Sequence, residues 1–309
     1  FFIIYFKKER KIGLKNTNFI QCQFCGQTLI DDFDYDVINN GFWCNCCDGY
    51  TYISSNKKHK FTLILEDKSN KNNIKINPTI KFKKRLSPLR YPGGKSNIID
   101  YIYSKTQDNK MHTFVEPFAG GAGIGLAFLD ANLIQRLILN DLDFGIYSLF
   151  KIIKTNPFNL IKKIKSFKPC HDDYFKAQQL INNNYSNCTL FEAAWALLLV
   201  NRLAYSGICK ANPLGGKNGS IETLLSRWNP KLLCKKIENI NKLSNKITIL
   251  NSNATDLIEE YYWHSDTTIF IDPPYFNQGK YLYHCYLNKE EHIELNVLLD
   301  SLYKGCPGA

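Results

Sequence analysis

One stretch restricts the fold more than any other part of this 309-residue chain. Thr113-Phe114-Val115 reads as an apolar strand ending in Glu116, Pro117 to Gly123 form a glycine-rich turn, and Ile124 to Leu129 continue as an apolar helix. A second strand, Arg136-Leu137-Ile138-Leu139-Asn140, ends in Asp141. Strand, turn, helix and strand in this order predict a βαβ unit. Its second carboxylate lies about twenty residues beyond the turn, where it can accept hydrogen bonds from ribose hydroxyls. Dinucleotide enzymes use the same geometry, so these pieces alone do not choose a cofactor. The glycine spacing departs from the full G-x-G-x-x-G, because Gly121 and Gly123 are followed by Leu126; this disfavours NAD without excluding it.

Two further blocks belong to the same reading. Leu89-Arg90-Tyr91-Pro92-Gly93-Gly94-Lys95-Ser96 leads into a helical pattern from Asn97 to Tyr103. The glycine pair allows close approach of backbone to a ligand, and Lys95 at the helix start offers a cation for a carboxylate or phosphate. Downstream, the buried-type strand Thr267 to Ile271 runs into Asp272-Pro273-Pro274-Tyr275. Prolines cannot sit inside a central strand, and at its end they freeze the backbone. That rigidity aims one carboxylate, one carbonyl and one ring into a cleft at the carboxyl edge of the sheet. A planar amino group on a base finds its partners there: Asp272 and the Pro273 carbonyl accept its two N–H bonds while Tyr275 stacks on the ring.

With these residues together, the chain resembles the Dam-like family of DNA adenine-N6 methyltransferases. Tyr91-Pro-Gly-Gly-Lys95, Glu116-Pro-Phe-Ala-Gly-Gly-Ala-Gly123, Asn140-Asp141 and Asp272-Pro-Pro-Tyr275 occur in the family's order, over residues 86–309. The resemblance implies a Rossmann-like methyltransferase open sheet and S-adenosylmethionine as methyl donor. It puts Tyr91 and Lys95 at the donor, with Lys95 near its carboxylate. Glu116, Phe118, Gly120, Gly121 and Gly123 then cradle the methionine moiety, Asp141 holds the ribose, and Asp272 sits between donor and base. The implied reaction is methyl transfer to the exocyclic amine of an adenine flipped out of duplex DNA. Cytosine-N4 methylation is the neighbouring chemistry, and Asp rather than Ser at 272 favours adenine. A catalytically silent DNA-binding module is the rival from another class.

Between the second and third strands the βα rhythm breaks. Helical patterns over Phe158–Phe167, Tyr174–Ile181 and Leu190–Leu203 precede Asn201-Arg202-Leu203-Ala204-Tyr205-Ser206-Gly207-Ile208-Cys209-Lys210 and a glycine-rich stretch. The family places its helical target-recognition insert here, so residues 154–235 are expected to form it. Arg202, Tyr205, Ser206, Lys210, Lys217 and Arg227 are the expected DNA contacts, since Arg and Lys bind both phosphates and base edges. GATC-reading members carry Arg where Lys210 stands and Asn where Ser206 stands, which leaves the recognition sequence open. The third strand, Ile247 to Leu250, runs into Asn253 where many relatives are acidic; an amide there can still bond the donor's adenine.

The amino-terminal segment is a different kind of sequence. Cys22, Cys25, Cys44 and Cys47 form C-x2-C, eighteen residues, C-x2-C. Paired thiolates two residues apart fold back on one tetrahedral Zn²⁺, so residues 1–60 are expected to be a small four-cysteine zinc ribbon with a structural metal. Cys46 leaves the fourth ligand ambiguous. A Lys/Asn-rich linker, 61–85, joins it to the catalytic residues 86–309. The remaining six of eleven cysteines are scattered singly, which suits reduced thiols in a cytoplasmic setting, bacterial or viral. The formal charge of +11 points to a polyanion, here double-stranded DNA, and no apolar run reaches the roughly 20 residues of a membrane span. A partner restriction endonuclease belongs to the same expectation. Phe at position 1 and the Gly-Pro-containing end at Ala309 suggest a chain cut at both ends. Family strands that follow the fourth motif would then be missing, and extension beyond Ala309 is expected to restore activity.

Overall fold

Strand order places the site before any side chain is considered. In the computed structural model, five parallel strands run in the spatial order Ile3–Tyr5, Thr267–Ile271, Thr113–Glu116, Arg136–Asn140, Ile247–Leu250. From the central Thr113–Glu116 strand the chain steps outward twice on one side and then returns to the other side with Thr267–Ile271. The reversal leaves a crevice between the carboxyl ends of these two neighbours, the position at which open α/β sheets bind ligands. Glu116 and Asp272 flank that crevice. The result is a mixed α/β fold with a parallel sheet, consistent with a Rossmann-like methyltransferase. The structure describes residues 80–106 and 111–304, together with the short strands 3–5, 20–21, 28–29, 35–36, 41–43 and 50–52.

The chain divides into two compact units, Phe1–Lys11 with Phe82–Ala309, and Ile12–Lys81. Ile3–Tyr5, assigned above to the ribbon, thus belongs to the larger unit, paired with Ile269–Ile271. The smaller unit has antiparallel pairs Ile20–Gln21 with Thr28–Leu29, and Tyr35–Asp36 with Gly41–Trp43 with Tyr50–Tyr52. Cys22, Cys25, Cys44 and Cys47 lie outside the described residues. Among the described residues no cluster of His, Cys, Asp and Glu is arranged to hold a metal ion, and no helix is long and apolar enough to cross a membrane.

The three inner strands, Thr113–Glu116, Arg136–Asn140 and Thr267–Ile271, are buried almost throughout, as strands covered on both sides must be. Successive residues point to opposite faces. Phe114 and Phe270 stack on one face (6.1 Å), and Phe114 meets the Phe128 ring edge-on at 5.2 Å. Phe82 and Tyr103 close the same cluster around Phe128. Phe82 falls within the stretch read as linker, yet it is buried in this core. On the other face Val115, Ile138, Ile269 and Ile271 pack with Leu257, Ile258 and Tyr262 of helix Ala254–Tyr262 and with Leu295 and Leu302 of helix Lys289–Lys304. The Tyr262 hydroxyl donates to the Leu302 carbonyl at 2.7 Å, joining the two helices. Phe128 is fully buried. Phe128→Ala is therefore expected to lower unfolding free energy by about 3–5 kcal/mol, read from a urea titration.

The helices read between the second and third strands form at Pro157–Ser166, His171–Asn182 and Leu190–Leu203, with Pro230–Asn241 completing the group. Thr189 starts the third with a capping box: its hydroxyl accepts from the Glu192 N–H, and the Glu192 carboxylate accepts from the Thr189 N–H. From Ala193 to Leu203 every residue of this helix is buried, and it packs along helix Phe144–Thr155.

Candidate active site

The turn after Glu116 is built by carboxylates accepting from backbone. Glu116 accepts from the Gly125 N–H at 2.7 Å, which ties the strand end to the first turn of helix Gly123–Asp130. Asp141 accepts from the Gly120 N–H (2.8 Å) with one oxygen and from the Asp143 N–H (2.9 Å) with the other. Asn140 fixes three segments at once: its amide donates to the Pro117 and Ser252 carbonyls, and its oxygen accepts from the Ser252 N–H and hydroxyl. Gly120 has φ +48°, and a Cβ there would lie 2.6 Å from the Tyr91 ring. Gly123 faces the Ser96 hydroxyl at the same separation. Glycine is required at position 120 on both counts.

The block from Tyr91 to Lys95 folds over this turn. Tyr91 stacks on Tyr283 at 5.3 Å, and Tyr283 donates its hydroxyl to the Pro92 carbonyl at 2.9 Å and lies 6.1 Å from the Tyr275 ring. Three tyrosines therefore wall the crevice between the Gly120 turn and Asp272. Lys95 reaches Asp272, 2.5 Å from its carboxylate, and also donates to the Gly93 carbonyl at 3.0 Å. Its ammonium lies 5.9 Å from the Tyr275 ring centre. The Asp272 side chain keeps 20% of its surface exposed, so the pair is accessible from the crevice. Phe118 is half-buried and packs against the core beneath the Asp272 strand, while Gly121 lies against Tyr91.

The electrostatics of this pocket favour a cation. Burial raises the Glu116 carboxyl to about 8, with the Gly125 N–H opposing the rise and the Asp272 charge adding to it. Burial and the neighbouring Asp143 raise Asp141 to about 7, against the two backbone N–H bonds. Asp272 is raised by burial and drawn back by Lys95. A positively charged ligand among these carboxylates restores their ionised forms. The pH dependence of stability follows. Glu116 binds its proton more tightly folded than unfolded, so its contribution is complete below its ordinary 4.5 and is lost as pH rises to about 8. Unfolding free energy measured across that range is expected to decline, and Glu116→Gln to flatten the decline.

Several expected DNA contacts occupy other positions. Arg202 is 3% exposed and Arg227 6%; Arg202 donates through Nε (3.1 Å) and Nη2 (2.8 Å) to the Arg227 carbonyl. Both are corrected here from surface contacts to buried residues of the helical segment, since a guanidinium inside the packing cannot meet a phosphate. Ser206 is buried too, in the left-handed region (φ 54°). Tyr205, Lys210 and Lys217 are exposed. Asn201, which the sequence reading did not single out, is buried. It accepts from the Arg90 N–H (2.8 Å) and donates to the Arg90 carbonyl (2.8 Å) and the Gly207 carbonyl (3.1 Å). Tyr283 also escaped that reading, and Asn140 entered it only as part of the Asn140-Asp141 block, without a role of its own.

The profile described as D12 class N6 adenine-specific DNA methyltransferase matches residues 91–307, from Tyr91 through the last helix. The chain belongs to this family. The family is adenine-specific, which decides between the two amine chemistries left open above, and membership implies use of S-adenosylmethionine. Among curated relatives, the chain is similar to the type II methyltransferase M.MjaIII of Methanocaldococcus jannaschii, 22% identical over 60% of this chain and 68% of the relative. It is 27% identical to the DNA adenine methylase of Haemophilus influenzae over 60% of this chain and 63% of that protein, so the match takes in under two thirds of that relative. The type II methyltransferase M.CviBI of Paramecium bursaria Chlorella virus NC1A is 25% identical over 71% of this chain and 80% of its own length.

Proposed function

We propose that this D12-class chain transfers a methyl group from S-adenosylmethionine to the N6 amine of a flipped adenine in double-stranded DNA. The observation that carries the reading is the placement of Asp272 and its proline-fixed loop at the sheet's reversal point, opposite Glu116 and walled by tyrosines. The donor fits the residues: it is cationic at sulfur and at its amine, and the pocket holds three carboxylates whose charge burial disfavours. When bound, S-adenosylmethionine supplies an activated methyl group. Tyr91, Lys95, Glu116, Phe118, Gly120, Gly121, Gly123 and Asp141 are the residues we assign to holding it, with Asp141 toward the ribose.

Asp272, Pro273, Pro274 and Tyr275 hold the base. Asp272 accepts one amine N–H and the Pro273 carbonyl the other, Pro274 fixes the loop, and Tyr275 stacks on the ring. Lys95 beside Asp272 keeps the carboxylate in its charged, accepting form. Exclusion of water by the three tyrosines strengthens these contacts. Residues 154–235 serve target recognition in this reading, with Tyr205, Lys210 and Lys217 exposed toward DNA and Ser206 shaping the turn. The test is nucleoside mass spectrometry of DNA incubated with the chain and the donor. N6-methyladenine is expected; N4-methylcytosine, or donor binding with no product, overturns the assignment.

The amino-terminal unit, in the same proposal, is a structural zinc ribbon. Each cysteine pair falls in sequence between the paired strands of a hairpin: Cys22 and Cys25 between Ile20–Gln21 and Thr28–Leu29, Cys44 and Cys47 between Gly41–Trp43 and Tyr50–Tyr52. Two such knuckles supply four thiolates. Metal analysis of the purified chain is expected to give one zinc per molecule, lost on chelation. The cysteines described at 170, 188, 209, 234 and 285 are free thiols, in keeping with a reducing, cytoplasmic setting. A partner restriction endonuclease enters the proposal through the type II names of two relatives.

A further inference from the structure

Of the segment that follows Tyr275, only Tyr283 belongs to the site described so far, and the surface of the rest is unusual. From Pro273 to Lys289 there is no acidic residue, and from Ala193 to Ile221 there is none either. The structure joins these two acid-free segments: Lys210 donates its ammonium to the Lys280 carbonyl at 2.8 Å. Around the junction, aromatic rings stand out of the protein instead of packing into it. Tyr281 is 65% exposed, Tyr286 45% and Tyr205 51%. Cations lie over two of them, Lys280 4.9 Å from the Tyr281 ring centre and Lys210 5.2 Å from that of Tyr286.

Exposed rings that do not feed a core, carried by segments that contain no acidic residue, match the requirements of unstacked nucleic-acid bases. Bases stack on aromatic faces while lysines neutralise the adjoining phosphates. A protein partner of acidic character would use the lysines and leave the rings unexplained. We infer that Tyr281 and Tyr286, with Lys210 and Lys280, form a stacking wall for the bases next to the target adenine in DNA opened at that position. The first ring of the wall lies nine residues beyond Asp272, with Lys280 and Tyr281 in the short helix Gly279–Leu282 that follows the Tyr275 loop. It rests on the methyltransferase reading for the identity of its partner, shares Lys210 with that reading, and adds Lys280, Tyr281 and Tyr286 to it.

The test compares two duplexes by fluorescence anisotropy on the full chain: one fully paired, one carrying a mismatch opposite the target adenine so that the helix is already opened. The wild-type chain is expected to prefer the opened duplex. Tyr281→Ala and Tyr286→Ala are each expected to bind it about 5- to 150-fold more weakly, the range for losing one base-aromatic stack. Affinity for the paired duplex should change far less. Tyr281→Phe and Tyr286→Phe should behave as wild type, because the ring is kept. Lys210→Ala should weaken both duplexes alike and reduce the slope of log affinity against log salt by about one. Both tyrosines are exposed, so unchanged melting temperatures are expected and verify folding. Alanine variants that keep the wild-type preference, or that lose both duplexes equally, overturn the wall. A parallel methyl-transfer assay separates the two ideas: a wild-type chain that transfers nothing removes the enzyme reading, and the anisotropy comparison still decides whether the wall exists.

Discussion

Asp272→Ala is expected to reduce methyl transfer by at least a hundred-fold while duplex binding stays within about two-fold of wild type. The size follows from the loss of a preoriented charged group at the reacting amine, an effect typically of about 10²–10³ in rate. Binding survives because the lysines and exposed rings proposed to face DNA lie outside Asp272's ion pair with Lys95. Single-turnover transfer measured alongside anisotropy checks both halves of the statement. Full methylation by this variant would remove Asp272 from the mechanism; joint loss of transfer and binding would make it a folding residue instead.

The second large effect concerns Lys95, and its signature is in pH. Burial pushes the Asp272 carboxyl up, and the Lys95 charge pulls it down. Lys95→Met removes the opposing influence, so the proton is held to higher pH and the accepting carboxylate forms only at higher pH than in the wild type. Transfer should fall about ten-fold at neutral pH for each pH unit by which the acid limb of the rate profile moves upward. Activity should recover as pH is raised. Lys95→Arg keeps the charge and is expected to keep the limb in place. A uniform drop at every pH in the methionine variant would place Lys95 in donor binding alone, the role that the resemblance first implied for it.

The parts legible in the sequence were those that depend on short-range pattern. The strands ending at Glu116, Asn140, Leu250 and Ile271 form where apolar runs meet Pro, Asn or Asp, because a strand buried on both faces is a continuous apolar run with a sharp end. Helix Leu190–Leu203 appeared within its expected limits for a similar reason. Its circumference was also informative: a helix apolar on all sides is buried on all sides, and that pattern argues against Arg202 at the surface. What no local pattern could show was pairing at long range. Lys95 and Asp272 are separated by 177 positions, and a lysine beside a glycine pair suits several acidic partners equally. Tyr283 has no local feature that sets it apart from the neighbouring tyrosines; only the fold brings it onto Tyr91.

Asn201 bonds main-chain atoms alone, at Arg90 and at Gly207. The joint it makes is therefore indifferent to most side chains on either side, though a Cβ at Gly207, where φ is +72°, would strike the Arg90 carbonyl. Such a joint behaves as a standard coupling between interchangeable parts. In the proposed function one half carries the transfer chemistry and the other the surface that meets DNA, and each can drift in sequence without renegotiating the contact. Exchange of the 154–235 segment between relatives should succeed where the asparagine and the glycine travel with it, which makes this pair the natural seam for altering the sequence the enzyme reads.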